Sequence, residues 1–284
     1  MANLLKNINA QDKIGFLGPE GTFTQAAVIK HFGNNVLTLP FPTIDEVFYH
    51  VESSCTAFGV VPIENSTEGS VNNTLDMFLT SPLKIVGETE LNIEHFLMGK
   101  MHDISEIKRV CAHEQSLAQC RDWIREHLSD VELTGMPSNA AGAIRAVNET
   151  GTAAIGAEVA AEIYNLNIII SNIEDRPDNA TRFLIVGKQL LSACGNDKTS
   201  ILISASAAAG GSGVLYNLLK PLADHGISMT RIESRPSKRK KWDYVFFIDL
   251  EGHADDEHIS EALTKLELNS SLFNILGAYP KAIY

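Results

Sequence analysis

The chain has 284 residues, 44% of them hydrophobic, with a mean hydropathy of −0.01, a formal charge of −12 and a sequence pI of about 5.2. That length and composition allow two or three compact units, each able to bury a core. The acidity argues against general nucleic-acid binding and means that any anionic ligand must be held by local groups against the overall field.

From residue 13 to 188 strand and helix signals alternate. Residues 14–17 form an apolar strand, and Gly18-Pro19-Glu20-Gly21 turns into a helix over 22–32. A strand at 36–39 precedes Thr43-Ile44-Asp45-Glu46, a capping-box pattern that opens a helix to about residue 53. The apolar run 57–61 is a buried strand that Pro62 is expected to stop, and residues 75–79 are the body of a short helix. Strands at 84–90 and 95–98 follow with no clear helix between them, which suggests a crossing between lobes. The series closes with a strand at 110–112, a helix at 115–126, a strand at 131–134, a helix from about Ser138, a strand at 153–156, a helix at 158–164, and strands at 168–170 and 183–187. Such alternation indicates one or two mostly parallel sheets, with ligands held where loops leave the carboxyl ends of the strands. Residues 190–198 read as a linker. Beyond it come a strand at 199–204, a helix at 214–225, strands at 228–235 and 242–250, a helix at 255–266 and a strand at 272–276. That order, βαββαβ, is ferredoxin-like.

The most informative stretch is Pro62-Ile63-Glu64-Asn65-Ser66-Thr67-Glu68-Gly69-Ser70-Val71-Asn72-Asn73-Thr74. It offers amide, hydroxyl and backbone donors and a carboxylate at Glu64, but no cation, and Gly69 permits a tight turn. The composition suits a pocket for an oxygen-rich small molecule held by hydrogen bonds and helix N-terminal amides. A second polar stretch ends in Asn179-Ala180-Thr181-Arg182-Phe183. Arg182 sits at the mouth of a buried strand, where a cation is costly unless it meets an anion, so a carboxylate ligand is expected there.

Other signals are weaker. Gly15-Phe16-Leu17-Gly18-Pro19-Glu20-Gly21 lacks a phosphate-loop core and Pro19 removes an amide; Gly210-Gly211-Ser212-Gly213 lacks the later glycine, so both read as turns. The nine histidines show no metal-ligand spacing; His113, in a strand-to-helix loop, reads as a helix-capping or satisfied histidine, with a catalytic one as the alternative. Ser237-Lys238-Arg239-Lys240-Lys241 reads as a solvated hairpin tip. Cys55, Cys111, Cys120 and Cys194 form no CxxC pair, and reduced, mostly core thiols are expected. No run is long enough to cross a membrane and the N-terminus carries no continuous apolar segment, so a cytoplasmic protein is expected.

With these motifs in view, the chain resembles prephenate dehydratases from residue 13 to the C-terminus. The resemblance rests on Gly18-Pro19-Glu20-Gly21-Thr22-Phe23, Pro62-Ile63-Glu64-Asn65-Ser66, the stretch from His113 to Cys120, and Thr181-Arg182-Phe183. The C-terminal unit resembles the ACT regulatory domain of that family: Gly213-Val214-Leu215-Tyr216 stands at its glycine-led motif and Glu233-Ser234-Arg235-Pro236 at its ESRP motif. The resemblance implies a two-lobed α/β catalytic domain over 13–188, similar to type 2 periplasmic binding proteins, with lobes at 13–90 plus 170–188 and at 91–169, and an ACT domain over 198–284. It implies decarboxylating dehydration of prephenate to phenylpyruvate without a cofactor or metal, phenylalanine as effector, and a homodimer or homotetramer. No mutase segment is expected before residue 13.

The residues implied for catalysis are Thr181, Glu64, Asn65 and Gln119. Those implied for substrate binding are Asn65, Ser66, Thr67, Ser70, Gln119, Thr181, Arg182 and Phe183. Thr181 would donate to the departing hydroxyl; Glu64, if protonated by burial, is the more acidic proton source, and sequence does not choose between them. Arg182 and the amides of 66–70 would hold a carboxylate. Glu233 would pair with an effector ammonium or with Arg235. Ala112 stands where the family has a serine. Arogenate is an alternative substrate, and a non-catalytic amino-acid sensor is the alternative of a different class.

Overall fold

The computed structural model describes residues 12–205, 212–238 and 243–282. The strands and helices follow the alternation read from the sequence. In chain order they are β1 (Lys13–Leu17), α1 (Phe23–Phe32), β2 (Leu37–Phe41), α2 (Ile44–Glu52), β3 (Phe58–Asn65), β4 (Gly69–Ser70), α3 (Asn72–Met77), β5 (Lys84–Asn92), β6 (Phe96–Gly99), β7 (Arg109–His113), α4 (Glu114–Gln119), α5 (Arg121–His127), β8 (Glu132–Met136), α6 (Asn139–Asn148), β9 (Thr152–Gly156), α7 (Glu158–Tyr164), β10 (Asn167–Ile170) and β11 (Ala180–Gly187). The C-terminal series is β12 (Asp197–Ala205), α8 (Val214–Asp224), β13 (Met229–Pro236), β14 (Tyr244–Glu251), α9 (Glu257–Asn269) and β15 (Ser270–Pro280).

Three sheets organise these elements. The first has the order β2-β1-β3-β11-β5 with β4 beside β3, the second β10-β6-β9-β7-β8, and the third β13-β14-β12-β15. β1 runs parallel to β2 and β3. The second sheet departs from the expected parallel arrangement: β7 is parallel to β8 and β9, but β6 is antiparallel to both β9 and β10. The third is fully antiparallel in the βαββαβ order read from the sequence.

Period-2 alternation explains the second sheet's two-sided core. Leu97 and Ile155 join Val110, Ala112, Cys120 and Ile124 on one face, while Phe96, Met98 and Ala154 meet Ala143, Ala146 and Ala160 on the other. Two local differences have physical causes. The helix expected over 115–126 breaks at Cys120, because the Asp175 carboxylate accepts the backbone N–H groups of Asp122 and Trp123, both at 3.0 Å, and caps a second helix. β3 continues through Pro62 rather than stopping there. Pro62 donates no ladder bond, but its carbonyl accepts from Thr74 Oγ1 at 2.6 Å, and β4 turns back to pair with Glu64 and Asn65.

The chain divides into two compact units, and the cut differs from the expected one. Among the described residues, one unit joins 12–74 with Thr89–Phe183; the other joins Leu75–Glu88 with those from Leu184 onward. The reason lies in the second unit's polar interior. Lys198 reaches both oxygens of Glu88 at 2.7 and 2.8 Å, with both side chains nearly sealed from solvent, and the backbone N–H of Ala282 donates to the same carboxylate. Lys84 donates to the carbonyl of Ile275 at 2.6 Å. A buried pair missing one member leaves an uncompensated charge, so these contacts fix β5 to the third sheet. On the same sheet Ser200 bonds Asp249 at 2.6 Å and Tyr279 at 2.7 Å, both buried. Its other face packs Ile201, Ile203, Ile248 and Leu250 under α8 and α9.

Of the cysteines, Cys111 and Cys120 are buried, whereas Cys55 and Cys194 are exposed, and all four are free. Lys238 of the basic run is paired with Asp76 rather than merely solvated; Arg239, Lys240 and Lys241, like Gly210 and Gly211, lie outside the described residues.

His31 gives the fold a testable acid sensitivity. Burial lowers its pKa from 6.5 to about 4, and its Nδ1 has no partner among the described residues. The unfolded chain therefore binds a proton below pH 6.5 that the folded chain refuses until about pH 4, so stability falls as pH drops through that window. At pH 5 the loss from His31 alone is about 2 kcal/mol, at ~1.4 kcal/mol per pKa unit. Urea denaturation at pH 5 and pH 7.5 is expected to show this difference, and His31→Phe is expected to shrink it.

Candidate active site

A cavity of about 410 Å³ lies within the first unit, between the first and second sheets. Its polar side chains come from both sides: Thr22, Thr24, Asn65, the Glu68 carboxylate, Ser70, Asn179 and Thr181 from one, and His95, His113, Gln115, Ser116, Gln119, Ser138 and Asn139 from the other. Phe23, Val71, Ile93 and Phe183 give it apolar walls.

Asn65 ties the site together. Its Nδ2 shares two N–H bonds among Asn179 Oδ1 at 2.8 Å, the Ala180 carbonyl at 3.2 Å and Thr181 Oγ1 at 2.8 Å. Its Oδ1 accepts the backbone N–H groups of Thr67 and Glu68, both at 3.0 Å. The hairpin between β3 and β4 is thereby locked to the start of β11. Ser66 reinforces the lock: its N–H donates to the Ala180 carbonyl at 2.8 Å and its Oγ accepts from Ala180 N at 2.9 Å. Thr67 Oγ1 donates to Asn179 Oδ1 at 3.3 Å. Since Thr181 Oγ1 accepts from Asn65, the Thr181 hydroxyl hydrogen remains available for donation, and it has no acceptor among the described residues.

Some expected residues meet in the cavity and others do not. Asn65, Ser70, Gln119, Thr181 and Phe183 line it; Glu64, Ser66, Thr67 and Arg182 do not. Arg182 lies between two lining residues of β11, so strand alternation directs it to the opposite face. Of the amides expected to hold a carboxylate, that of Ser66 is bonded to the Ala180 carbonyl on β11 and those of Thr67 and Glu68 to Asn65 Oδ1. Glu64 is half-buried and lies off the cavity wall. Ala112 is fully buried in the second sheet's apolar core, away from the cavity wall, so the missing serine hydroxyl does not leave a gap in the site.

No Lys or Arg lines the cavity among the described residues. Several helix N-termini border it. The first turn of α1 contributes Phe23 and Thr24 behind its cap Thr22; that of α6 contributes Asn139 behind its cap Ser138; that of α4 contributes Gln115 and Ser116 behind His113; and Ala157 precedes α7. Helix N-termini carry partial positive charge that favours an anion, although their caps take one N–H of α1, α4 and α6 each. His113 is the helix cap expected: its Nδ1 accepts from Gln115 N at 3.3 Å. Asn139 links two of these termini, accepting from His113 N at 2.9 Å and donating to Ser116 Oγ at 2.8 Å. Gly21, with φ of 82°, lets the turn before α1 approach α7, since a Cβ there would fall 2.9 Å from the Tyr164 ring. The Tyr164 hydroxyl donates to the Glu20 carbonyl at 2.9 Å across the same approach.

Sequence reasoning did not name His95, Asn179 or Ser116 as site residues, and read Ser138 only as a helix start. His95 is fully buried, with Nε2 2.8 Å from Gln119 Oε1, and burial lowers its pKa. A histidine at the head of the apolar run His95-Phe96-Leu97-Met98 was the available signal.

In the second unit, Gly213 caps α8 with φ of 85°, and Glu233–Pro236 lie on β13 paired with β14. Arg235 does not depend on Glu233 for a partner: it donates to Asp76 Oδ1 at 2.9 Å, and Lys238 reaches Asp76 Oδ2 at 2.8 Å. Although partial burial pushes the Asp76 carboxyl up, Lys238 and Arg235 together hold it below the usual range.

A family model described as prephenate dehydratase matches residues 14–190, and one described as ACT domain matches residues 208–268. The bifunctional chorismate mutase/prephenate dehydratase of Pseudomonas aeruginosa is 49% identical over 272 residues, covering 95% of this chain and 74% of its own length. The prephenate dehydratase of Methanocaldococcus jannaschii is 38% identical over 266 residues, covering 92% and 96%. Among solved structures, the prephenate dehydratase of Arthrobacter aurescens in complex with L-Phe superposes with a TM-score of 0.86 at 34% identity, covering 94% of this chain and 89% of that one. A structure described as a novel type of quorum-quenching acylase superposes with a TM-score of 0.86 at 28% identity, covering 95% and 98%.

Asn65→Asp tests the lock between hairpin and β11. It replaces the Nδ2 donor with an oxygen facing three acceptors, and is expected to cost about 1–3 kcal/mol, the scale of leaving buried polar groups unpaired. A urea midpoint equal to that of the parent chain would show that the bonds around Asn65 do not hold the loop.

Proposed function

The chain belongs to the prephenate dehydratase family, and we propose that it converts prephenate to phenylpyruvate under feedback control by phenylalanine through its ACT domain. The observation that carries the reading is the Asn65–Thr181 bond inside a cavity ringed by helix N-termini. Prephenate carries two carboxylates and a ring hydroxyl. In the reaction the C–C bond to the ring carboxylate breaks, its electron pair enters the ring, and the C–O bond to the hydroxyl breaks. Carbon dioxide leaves, one proton is taken up, and the hydroxyl departs as water.

Aromatisation drives the step, so the protein's task is positioning and charge stabilisation. Helix N-termini hold the carboxylates, Phe23 and Phe183 flank the ring, and Thr181 donates to the departing oxygen. Asn65, by donating to Thr181 Oγ1, fixes the direction of that donation. Half-buried Glu64, off the cavity wall, is not the proton source in this scheme. An acylase reading has less support: Thr181 and Ser116 each take a hydrogen bond from an asparagine amide rather than a histidine.

The proposed domains are a catalytic part over 13–188 and a regulatory part over 198–284, in a cytoplasmic homodimer or homotetramer. Support for self-association comes from Met229 and Ile232, large apolar side chains of β13 that are 41% and 44% exposed. The proposed effector site involves Gly213, Val214, Leu215 and Tyr216 with Glu233, Ser234, Arg235 and Pro236. Through Asp76, Arg235 ties β13 to α3, the helix that follows the polar hairpin.

The direct assay is the absorbance of phenylpyruvate formed from prephenate by the full chain, with arogenate as the competing substrate. Thr181→Ala is expected to lower kcat by at least about 10²-fold, the scale of losing one preorganised donor. Thr181→Ser should cost less, and Glu64→Gln should leave kcat within a few-fold of the parent. Asp76→Asn is expected to weaken inhibition by phenylalanine about 5-fold or more, the lower end of allosteric coupling. Undiminished inhibition in that variant would exclude the Arg235–Asp76 link from the regulatory path.

A further inference from the structure

Gln119 lines the cavity, but an amide side chain can face either way, and only one face offers donors to an anionic substrate. His95 decides the orientation. Its Nε2 lies 2.8 Å from Gln119 Oε1, and a carboxamide oxygen only accepts, so the imidazole proton sits on Nε2. The opposite tautomer would set two acceptors against each other and bury an N–H on Nδ1, which is sealed from solvent and has no partner among the described residues. The imidazolium would bury the same unpaired N–H. Accordingly, burial lowers the His95 pKa, against the opposing influence of Gln119 and of the Glu174 carboxylate.

The ring is held from both sides of the cavity. Its backbone N–H donates to Glu174 Oε2 at 2.8 Å, and its edge meets Phe23 of α1 at a centroid distance of 5.5 Å and an angle of 81°. The Gln119 carbonyl accepts from Asp175 N at 2.8 Å, which fixes the backbone end of the same side chain.

We propose that His95 is a positioning residue of the dehydratase site: by donating Nε2–H to Gln119 Oε1, it presents the Gln119 amide hydrogens to the substrate. This rests on the dehydratase reading of the cavity. His95 acts through Gln119 rather than as a general acid or base, because its Nε2 is engaged by Gln119 Oε1 and its Nδ1 is sealed from solvent.

The test is a double-mutant cycle with a rescue. His95→Leu removes the donor and is expected to lower kcat/KM by about 10²-fold, the scale of an ångström misplacement in a reacting site. His95→Gln, which places an amide N–H near the position of Nε2, should recover most of that loss. His95→Leu added to Gln119→Ala should cause little further loss, since the two act as one unit. Parent-like activity of His95→Leu, or losses that multiply in the double variant, would overturn the proposal. The imidazole ¹⁵N shifts of the unmutated, substrate-free chain give an independent answer, which stands if His95→Leu fails to fold. Protonated Nε2 with bare Nδ1 supports the proposal, and the Nδ1–H tautomer overturns it. An unmutated chain that forms no phenylpyruvate would instead defeat the dehydratase reading, whatever the tautomer.

Discussion

The site depends on one side-chain amide. Asn65 stands where β3 passes into the hairpin, and its two ends do different work: the oxygen closes the loop on the amides of Thr67 and Glu68, and the nitrogen ties that loop to Asn179, Ala180 and Thr181. The partners lie more than a hundred residues apart in sequence, so the bond closes only when the first sheet is assembled. Its chemical consequence is directional. A threonine hydroxyl that accepts from a fixed donor can donate only away from it, and here that leaves the cavity. Preorganised donors of this kind do not reorient as charge develops on a leaving oxygen.

An acidic chain that binds a dianion needs local positive potential, and among the described residues the cavity is lined by the Glu68 carboxylate and by no Lys or Arg. Helix N-termini reach the site from both sheets, each with its own cap in Thr22, His113 or Ser138. Backbone amides carry no desolvation penalty comparable to a buried cation and cannot be titrated away. The charged side chains of the second unit are likewise compensated, Lys198 pairing with Glu88 and Arg235 with Asp76.

Much of this was legible in the sequence. The alternating strands and helices, the ferredoxin-like order and the polar segment after β3 follow from hydrophobic period and turn chemistry, and the family motifs singled out Asn65, Gln119 and Thr181. What escaped was direction. Arg182 looked like a carboxylate ligand because a cation at a strand mouth demands an anion, but strand period puts it on the face opposite Thr181 and Phe183. The Ser66–Glu68 amides looked free because a linear reading cannot see that Asn65 and Ala180 use them. His95 and Asn179 were missed for a related reason. Each is a lone polar residue whose role depends on a partner far along the chain, Gln119 in one case and Asn65 in the other.

The central claim is that Asn65 serves catalysis through the Thr181 hydroxyl, and a cycle on kcat with Asn65→Ala and Thr181→Val addresses it most directly. If the claim holds, Asn65→Ala slows the Thr181→Val chain at least about tenfold less than it slows the parent, as expected of residues acting as one unit. If Asn65→Ala slows both backgrounds by the same factor, the two residues act independently and the account is contradicted.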